Sequence, residues 1–468
     1  MHAPAHLDRR SFLQHAAAGA AAMCMWRDGG ERAPTPHFAP RCKRVVYLHM
    51  VGAPSQLDLF DRKPALARWH GQDLPDSVRQ GQRITTMTSG QKRLRIQNTN
   101  RVFAQRGQCG AWISDLLPFT ASCADELAIV RSMQTDAINH EPALNLMQTG
   151  HEQPGRPCFG AWLAWAIGAD ARDLPAFVVL HSTWSGPKVD QPLYSRLWGA
   201  GFLPAEHQGV LLRGQGDPVL FLQDPPDVSR MARQQQLAAM LQLNAAAQER
   251  FGDPGIGARQ QQAELAFRMQ TAVPELVDLA AESPATKSLY GPDVDTRGTF
   301  ANNALLARRL LERGVRCVQI YHRGWDQHKD LEQDLPLQCR DVDQPTAALL
   351  TDLRQRGLLD DTLVVWTSEF GRAVYAQGDA GDPHYGRDHH PRCFATWLAG
   401  GGVRAGWQHG ETDELGYNTV RDPVHVHDLN ATLLWLLGFD HEKLTFRHEG
   451  RDFRLTDVHG RVVRQLLA

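Results

Sequence analysis

The chain has 468 residues, 42% of them hydrophobic and 8% aromatic, with 50 Lys and Arg against 52 Asp and Glu. This ordinary globular mixture excludes a collagen-like repeat, a coiled coil and general disorder, and its near-neutral balance gives no global attraction for nucleic acid or anionic lipid. No stretch approaches the ~20 consecutive apolar residues of a permanent membrane span, whereas 21 histidines, several packed into short segments, raise the question of metals or proton transfer.

Asp8-Arg9-Arg10-Ser11-Phe12-Leu13 precedes an Ala-rich stretch that runs to Met23. Paired arginines, Phe-Leu and a short, weakly apolar core have the form of a twin-arginine export signal. Residues 1–39 are therefore expected to be this signal and a short linker, and 40–468 the main domain. The address that follows is periplasmic or secreted, with the twin-arginine machinery as a partner. None of the eight cysteines forms a C-x-x-C, which disfavours a structural zinc knuckle. Buried free thiols are the default expectation.

The first apolar run is 45–51, followed by Gly52-Ala53-Pro54-Ser55-Gln56-Leu57-Asp58, whose polar members are Ser55 and Asp58. The second, 127–131, leads through a polar loop to Asn139-His140-Glu141-Pro142 and a helix that stops at Gly150. Asn139, His140 and Glu141 then sit at a helix N-terminus, where backbone N–H groups favour an anion. A third run covers 176–180. From 231 to 281 the chain is Gln- and Ala-rich, helical in period and broken at Gly252-Asp253-Pro254-Gly255, which predicts a helical segment at about 231–300.

A helix over 301–313, stopped by Gly314, leads to a run at 316–321 and the loop His322-Arg323-Gly324-Trp325-Asp326-Gln327-His328. Asp326 and His328 are spaced so that both can turn toward one point, and carboxylate and imidazole are ligands for first-row metals. A helix over 346–356 precedes the run 362–367, after which come Glu369 and Arg372. A carboxylate buried at a strand end is costly unless paired or metal-bound. Arg387-Asp388-His389-His390 leads into the last run, 394–399, and a final helix covers 426–437. Runs apolar on both faces and alternating with helices predict a doubly wound α/β sheet of parallel strands. Its ligands belong at the carboxyl ends of the strands. Four loops that follow strands, and one that leads into the last, supply Asp58, His140, Asp326, His328, Glu369, Asp388 and His389.

Taken together, these segments resemble the bacterial DUF1501 proteins, a group related to sulfatases and alkaline phosphatases in which twin-arginine signals are common. The resemblance rests on Gly52-Ala53-Pro54-Ser55-Gln56-Leu57-Asp58, Asn139-His140-Glu141-Pro142, Gly324-Trp325-Asp326-Gln327-His328, Ser368-Glu369-Phe370-Gly371-Arg372 and Gly386-Arg387-Asp388-His389. It implies an alkaline phosphatase-like three-layer α/β/α sandwich with a mainly parallel sheet. It also implies a metal site at the strand ends and hydrolysis of sulfate or phosphate esters. By similarity, Asp326 and His328 match a late ligand pair, and His389 falls near a last ligand histidine. Glu369 takes the place of an Asp-His pair. The chain departs from the pattern at Phe370, which replaces a ligand histidine, and around His140, where no Cys or Ser stands at the nucleophile position. The first strand also lacks paired Asp residues after it.

The expectation is an exported metal-dependent hydrolase of a small-molecule or glycan ester. Asp58, Asp326, His328, Glu369, Asp388 and His389 are its candidate ligands for a divalent ion, zinc or manganese favoured and calcium open. His140 stands as nucleophile or base, flanked by Asn139 and Glu141, and Arg372 or Arg387 clamps the anion. The alternative is a non-catalytic secreted binding or scaffold protein on a degenerate sulfatase-like fold.

Overall fold

Strand β1 (Arg44–Met50) shows why the apolar runs are continuous. Val46, Leu48 and Met50 enter one hydrophobic core while Val45 and Tyr47 enter the other. A strand covered on both faces has no polar side to display. The computed structural model describes residues 34–186, 191–220, 222–225, 227–252 and 254–468. The twin-arginine segment and Cys24 lie outside the described residues.

The other strands of the central sheet are β2 (Leu127–Gln134), β3 (Phe177–Ser182), β4 (Val210–Leu212), β5 (Cys317–His322) and β6 (Thr362–Thr367). A hairpin of β7 (Gly371–Gln377) and β8 (Gly386–His390) follows, then β9 (Phe394–Ala399), β10 (Trp407–His409) and β11 (Val424–His425). The nine-stranded sheet runs β10-β2-β9-β6-β1-β5-β3-β4, with β11 also pairing with β2. Its centre is parallel, Leu48 lying beside Ile320 on one side and Trp366 on the other.

One expectation needs correction. Strand β9 is antiparallel to both β2 and β6, not parallel. The cause is the connection. A parallel return needs a crossover of a dozen or more residues, usually helical. Here the chain leaves β6, makes the β7–β8 hairpin at the carboxyl end of the sheet, and enters β9 from that same end.

Helices α5 (Phe300–Glu312) and α6 (Leu331–Gln355) cover one face. Helices α1 (His140–Thr149), α2 (Phe159–Ile167) and α7 (Val426–Leu436) cover the other, completing a three-layer α/β/α sandwich with a mainly parallel sheet. The Gln-rich segment forms α3 (Arg230–Phe251) and α4 (Pro254–Val277), broken where the sequence indicated. Met269, Val273 and Leu276 of α4 reach the core beside α5. Helix α6 begins fifteen residues before the expected 346. Pro336 and Pro345 read as helix stops. Burial of Leu331, Leu335, Cys339 and Val342 along one stripe carries the helix through them. The seven cysteines among the described residues are free. No helix among the described residues is long and apolar enough to cross a membrane.

Histidine burial makes the fold sensitive to acid. His322, at the end of β5, is fully buried, with Ser182 Oγ at 2.9 Å and Gln338 Oε1 at 2.8 Å. Burial pushes its pKa down to about 3. A depressed histidine stabilises the fold fully above its unfolded value near 6.5, and that contribution drains away as pH falls toward 3. The expected loss from this group is about 1.4 kcal/mol per pH unit. Denaturant titrations between those limits should show a shallower pH slope in His322→Asn than in the wild type. Equal slopes would contradict the assignment.

Candidate metal centre

The loops at the carboxyl ends of β2, β5 and β6, together with the hairpin, converge on one point. The loop after β2 delivers His140 as the first residue of α1, with Asn139 in extended conformation before it. Helix α1 ends at Gly150, whose φ of +69° and contact with the Leu455 carbonyl leave no room for a Cβ. The loop after β5 delivers Asp326 and His328, and the hairpin delivers His389.

The ligating atoms of His140, Asp326, His328 and His389 all lie within 4.8 Å of one another. Around Asp326 Oδ1 stand His328 Nε2 at 2.8 Å, His140 Nε2 at 3.2 Å and His389 Nε2 at 3.4 Å. Each imidazole presents its Nε2, because its Nδ1 faces an acceptor elsewhere. His140 Nδ1 meets Glu369 Oε1 at 2.6 Å, His328 Nδ1 meets Gln377 Oε1 at 2.5 Å, and His389 Nδ1 meets the Ile138 carbonyl at 2.8 Å. An Nδ1–H that donates outward leaves the Nε2 lone pair facing inward. Such outward partners are what metal-ligating histidines carry.

Two details test the fit to a cation. His328 Nε2 and His389 Nε2 are 3.0 Å apart, so two lone pairs face each other. Among the described residues, buried His140 Nε2 has no hydrogen bond, its approach to Asp326 Oδ1 being an ion-pair contact only. Both features suit an ion shared among the rings. Three nitrogens and one carboxylate oxygen form a donor set for a divalent transition ion.

The electrostatics fit as well. Burial alone would raise the pKa of Asp326, but the Arg372 guanidinium and the surrounding imidazoles hold it far below the carboxylate range. Burial likewise opposes ionisation of Glu369, yet hydrogen bonds from His140 and His49 keep it charged. Burial, with the charges of Arg372 and His140, pushes His389 down to about 4, which keeps its ring neutral. For His140, burial works downward and the carboxylates of Asp326 and Glu369 more than reverse it, so a cation bound there would have to displace a proton from that ring.

The remaining residues picked from the sequence lie outside this group. Asp58 accepts from Ser55 Oγ and pairs with Arg387 Nε at 3.0 Å, both residues fully buried. Asp388 accepts from Thr85 Oγ1 at 2.7 Å, from Thr88 Oγ1 and from Tyr375 OH at 3.2 Å. Both carboxylates escape the cost of burial through these partners. Glu369 stands behind His140 rather than among the four donors. Arg372 spends its guanidinium on the carbonyls of Gly52, Ala53, Trp325 and Arg387 and on Asp326 Oδ1 at 2.6 Å. His140 itself, expected as nucleophile or base, falls inside the donor group. Glu141 is exposed and pairs with Arg196, and Asn139 makes no side-chain cap.

Several contributors went unread in the sequence. His49, inside β1, is fully buried, with Nε2 3.3 Å from Glu369 Oε2 and Nδ1 accepting from Gln148 at 3.1 Å. Gln148 accepts in turn from Gln319 at 2.9 Å. Gln191 donates to Asp326 Oδ2 at 2.8 Å. A histidine in the middle of an apolar strand was the one available signal; the glutamines offered none. Glu369→Gln keeps the shape but removes the charge that orients His140. It is expected to weaken metal affinity about 10- to 100-fold, as read by competition with a chromophoric chelator. An unchanged affinity would contradict the placement of Glu369.

Comparison with solved structures finds distant likenesses. Phosphonate monoester hydrolase SpPMH from Silicibacter pomeroyi is 13% identical, over 75% of this chain and 71% of that one, with a TM-score of 0.34. PsFucS1 sulfatase from Pseudoalteromonas sp. is 12% identical over 86% and 69%, with a TM-score of 0.36. A protein in the alkaline phosphatase superfamily from Vibrio parahaemolyticus is 9% identical over 94% and 78%, with a TM-score of 0.37. No curated protein matches the sequence. The family described as "Protein of unknown function (DUF1501)" matches residues 42–467, and the chain belongs to that family.

Proposed function

We propose that this protein is an exported, metal-dependent hydrolase acting on a sulfate or phosphate ester. The observation that supports it most is the meeting of three imidazole Nε2 atoms and Asp326 Oδ1 at the carboxyl end of a mainly parallel sheet. His140, His328, His389 and Asp326 would hold the ion. Bound there, it supplies Lewis acidity toward an ester oxyanion and acidifies a coordinated water. Three imidazoles to one carboxylate favour zinc, then manganese, and count against calcium, which prefers oxygen donors.

The surrounding residues orient and shield. Glu369 holds the Nδ1 proton of His140, and Gln377 does the same for His328. Arg372 and Gln191 fix the two oxygens of Asp326. Phe370 packs on His140 and His389, with ring centroids 4.8 and 4.6 Å away. With Ala53, Ala137 and Ala143 it forms an apolar wall that excludes water from that side.

The second reading, a binding or scaffold protein without turnover, draws on the same Phe370, which takes a position where a donor is expected. Hydrolysis of aryl sulfates and aryl phosphates by the purified protein separates the two. Turnover that a chelator abolishes and added zinc or manganese restores supports the hydrolase; bound metal without turnover supports the second reading. For export, Arg9→Lys with Arg10→Lys is expected to keep the protein in the cytoplasmic fraction.

A further inference from the structure

A hydrolase of anionic esters needs a cation that can reach the substrate, and neither arginine expected from the sequence is free to do so. Arg372 is 1% exposed and held by four carbonyls and Asp326. Arg387 is fully buried on Asp58 and on the carbonyls of Gln97, Ala373 and Val374. Turning either one outward would strand buried carbonyls and a buried carboxylate.

A different guanidinium stands at the site. A cavity of about 80 Å³ opens beside His140 and is lined by Glu141, Gln191, Tyr194 and Arg196 among others. One water needs roughly 10–15 Å³ of such space, so the cavity has room for a tetrahedral oxyanion. His140 lines it, and among the described residues the Nε of Arg196 is buried without a hydrogen-bond partner. The guanidinium lies on the Tyr194 ring, 4.1 Å from its centroid, which fixes its plane and leaves its edge to donate. Its carboxylate partner among the described residues, Glu141, is 57% exposed. A pair so wet contributes little, and an incoming anion can replace it at small cost. The cavity also lies against the first turn of α1, a ten-residue helix whose leading amides have no intrahelical acceptor.

We propose that Arg196 is the anion-recognising residue of this site, and that Glu141 is a gate which occupies it until a sulfate or phosphoryl group displaces the carboxylate. The guanidinium then makes two parallel N–H···O bonds to the oxyanion beside His140. This rests on the hydrolase reading above, and it separates the roles of two residues that a purely structural ion pair would tie together.

The test is calorimetric titration of the purified full-length protein with inorganic phosphate and, in a second arm, with inorganic sulfate. Metal content is measured on every sample. Arg196→Met should weaken binding at least about tenfold, the worth of a charge-assisted hydrogen bond. Arg196→Lys should recover part of the loss. Glu141→Gln should tighten binding several-fold, because it removes the competitor. These opposite signs are the decisive readout, since a salt bridge that merely braced the loop would move both variants the same way. Equal affinities across the variants, a shared direction of change, or no binding by the wild type in either arm would overturn the proposal. If Arg196-dependent binding persists in a protein that takes up no metal, the anion site stands and the metal-dependent reading falls. If metal is bound and the variants do not differ, the reverse holds.

Discussion

His328→Ala is expected to abolish metal binding at the proposed centre. His328 Nε2 sits 2.8 Å from Asp326 Oδ1 and 3.0 Å from His389 Nε2, so it touches two of the other donors at once. Alanine removes one of four donors and leaves Asp326 and His389 without their shared neighbour. Loss of an outward partner costs about 10- to 100-fold in affinity, and loss of a donor itself should exceed that range. Asp326→Asn is expected to act as strongly for a different reason. It keeps the shape and removes the one formal negative charge in the donor group, leaving the Arg372 guanidinium uncompensated beside the ion. His384→Ala is the matched control. That histidine lies four residues before Asp388 in sequence, pairs with Asp330 at 2.6 Å and is 66% exposed, and it is not among the donors. Elemental analysis of protein purified from medium containing zinc and manganese provides the measurement. Roughly one ion per chain in the wild type and the control, and almost none in the two variants, is the expected result. Equal content in all four would remove the metal centre and with it the hydrolase.

The parts of the fold that were legible are those whose signal is local. Strand β6 occupies 362–367 as read, because a run of apolar residues bounded by polar ones needs no knowledge of its neighbours. The early half of α6 was hidden for a local reason too: Pro336 and Pro345 are strong stops, and only the burial of Leu331 and Leu335 in the core overrules them. The site divides along the same line. Asp326 and His328 share a loop, and their spacing alone suggested a ligand pair. Asp58 and Asp388 gave the same local signal, a carboxylate in a loop beside a buried strand. What distinguishes them is the partner. Asp58 meets Arg387 from 329 positions away, and Asp388 meets Thr85 and Thr88 from about 300. A buried carboxylate looks alike in sequence whether a metal, a guanidinium or two hydroxyls satisfies it. His49 carries only a faint signal, for the converse reason. It lies inside β1, where its neighbours announce only a strand, and its partner Glu369 follows a different strand, 320 positions on.

The ion pair of Asp58 and Arg387 carries the largest expected effect on stability. Arg387 and Asp58 are 0% and 1% exposed, so solvent screening does nothing for either. Arg387→Met preserves most of the side-chain volume but leaves Asp58 charged and buried, with Ser55 as its remaining partner. It also removes the donor to the Gln97, Ala373 and Val374 carbonyls. Breaking such a pair from one side costs about 3–5 kcal/mol, and the expected readout is a matching fall in unfolding free energy by denaturant titration. The double variant Asp58→Asn with Arg387→Met is the informative partner. It no longer buries a lone charge, so it should recover much of the loss, although the three carbonyls still lack the Arg387 donor and Val374 keeps only its bond from the Gln97 N–H. An anion clamp predicts something else: substrate affinity would fall, stability would hardly move, and Asp58→Asn would rescue nothing. Recovery in the double variant therefore separates an ion pair that braces the hairpin against the turn after β1 from a residue that binds substrate.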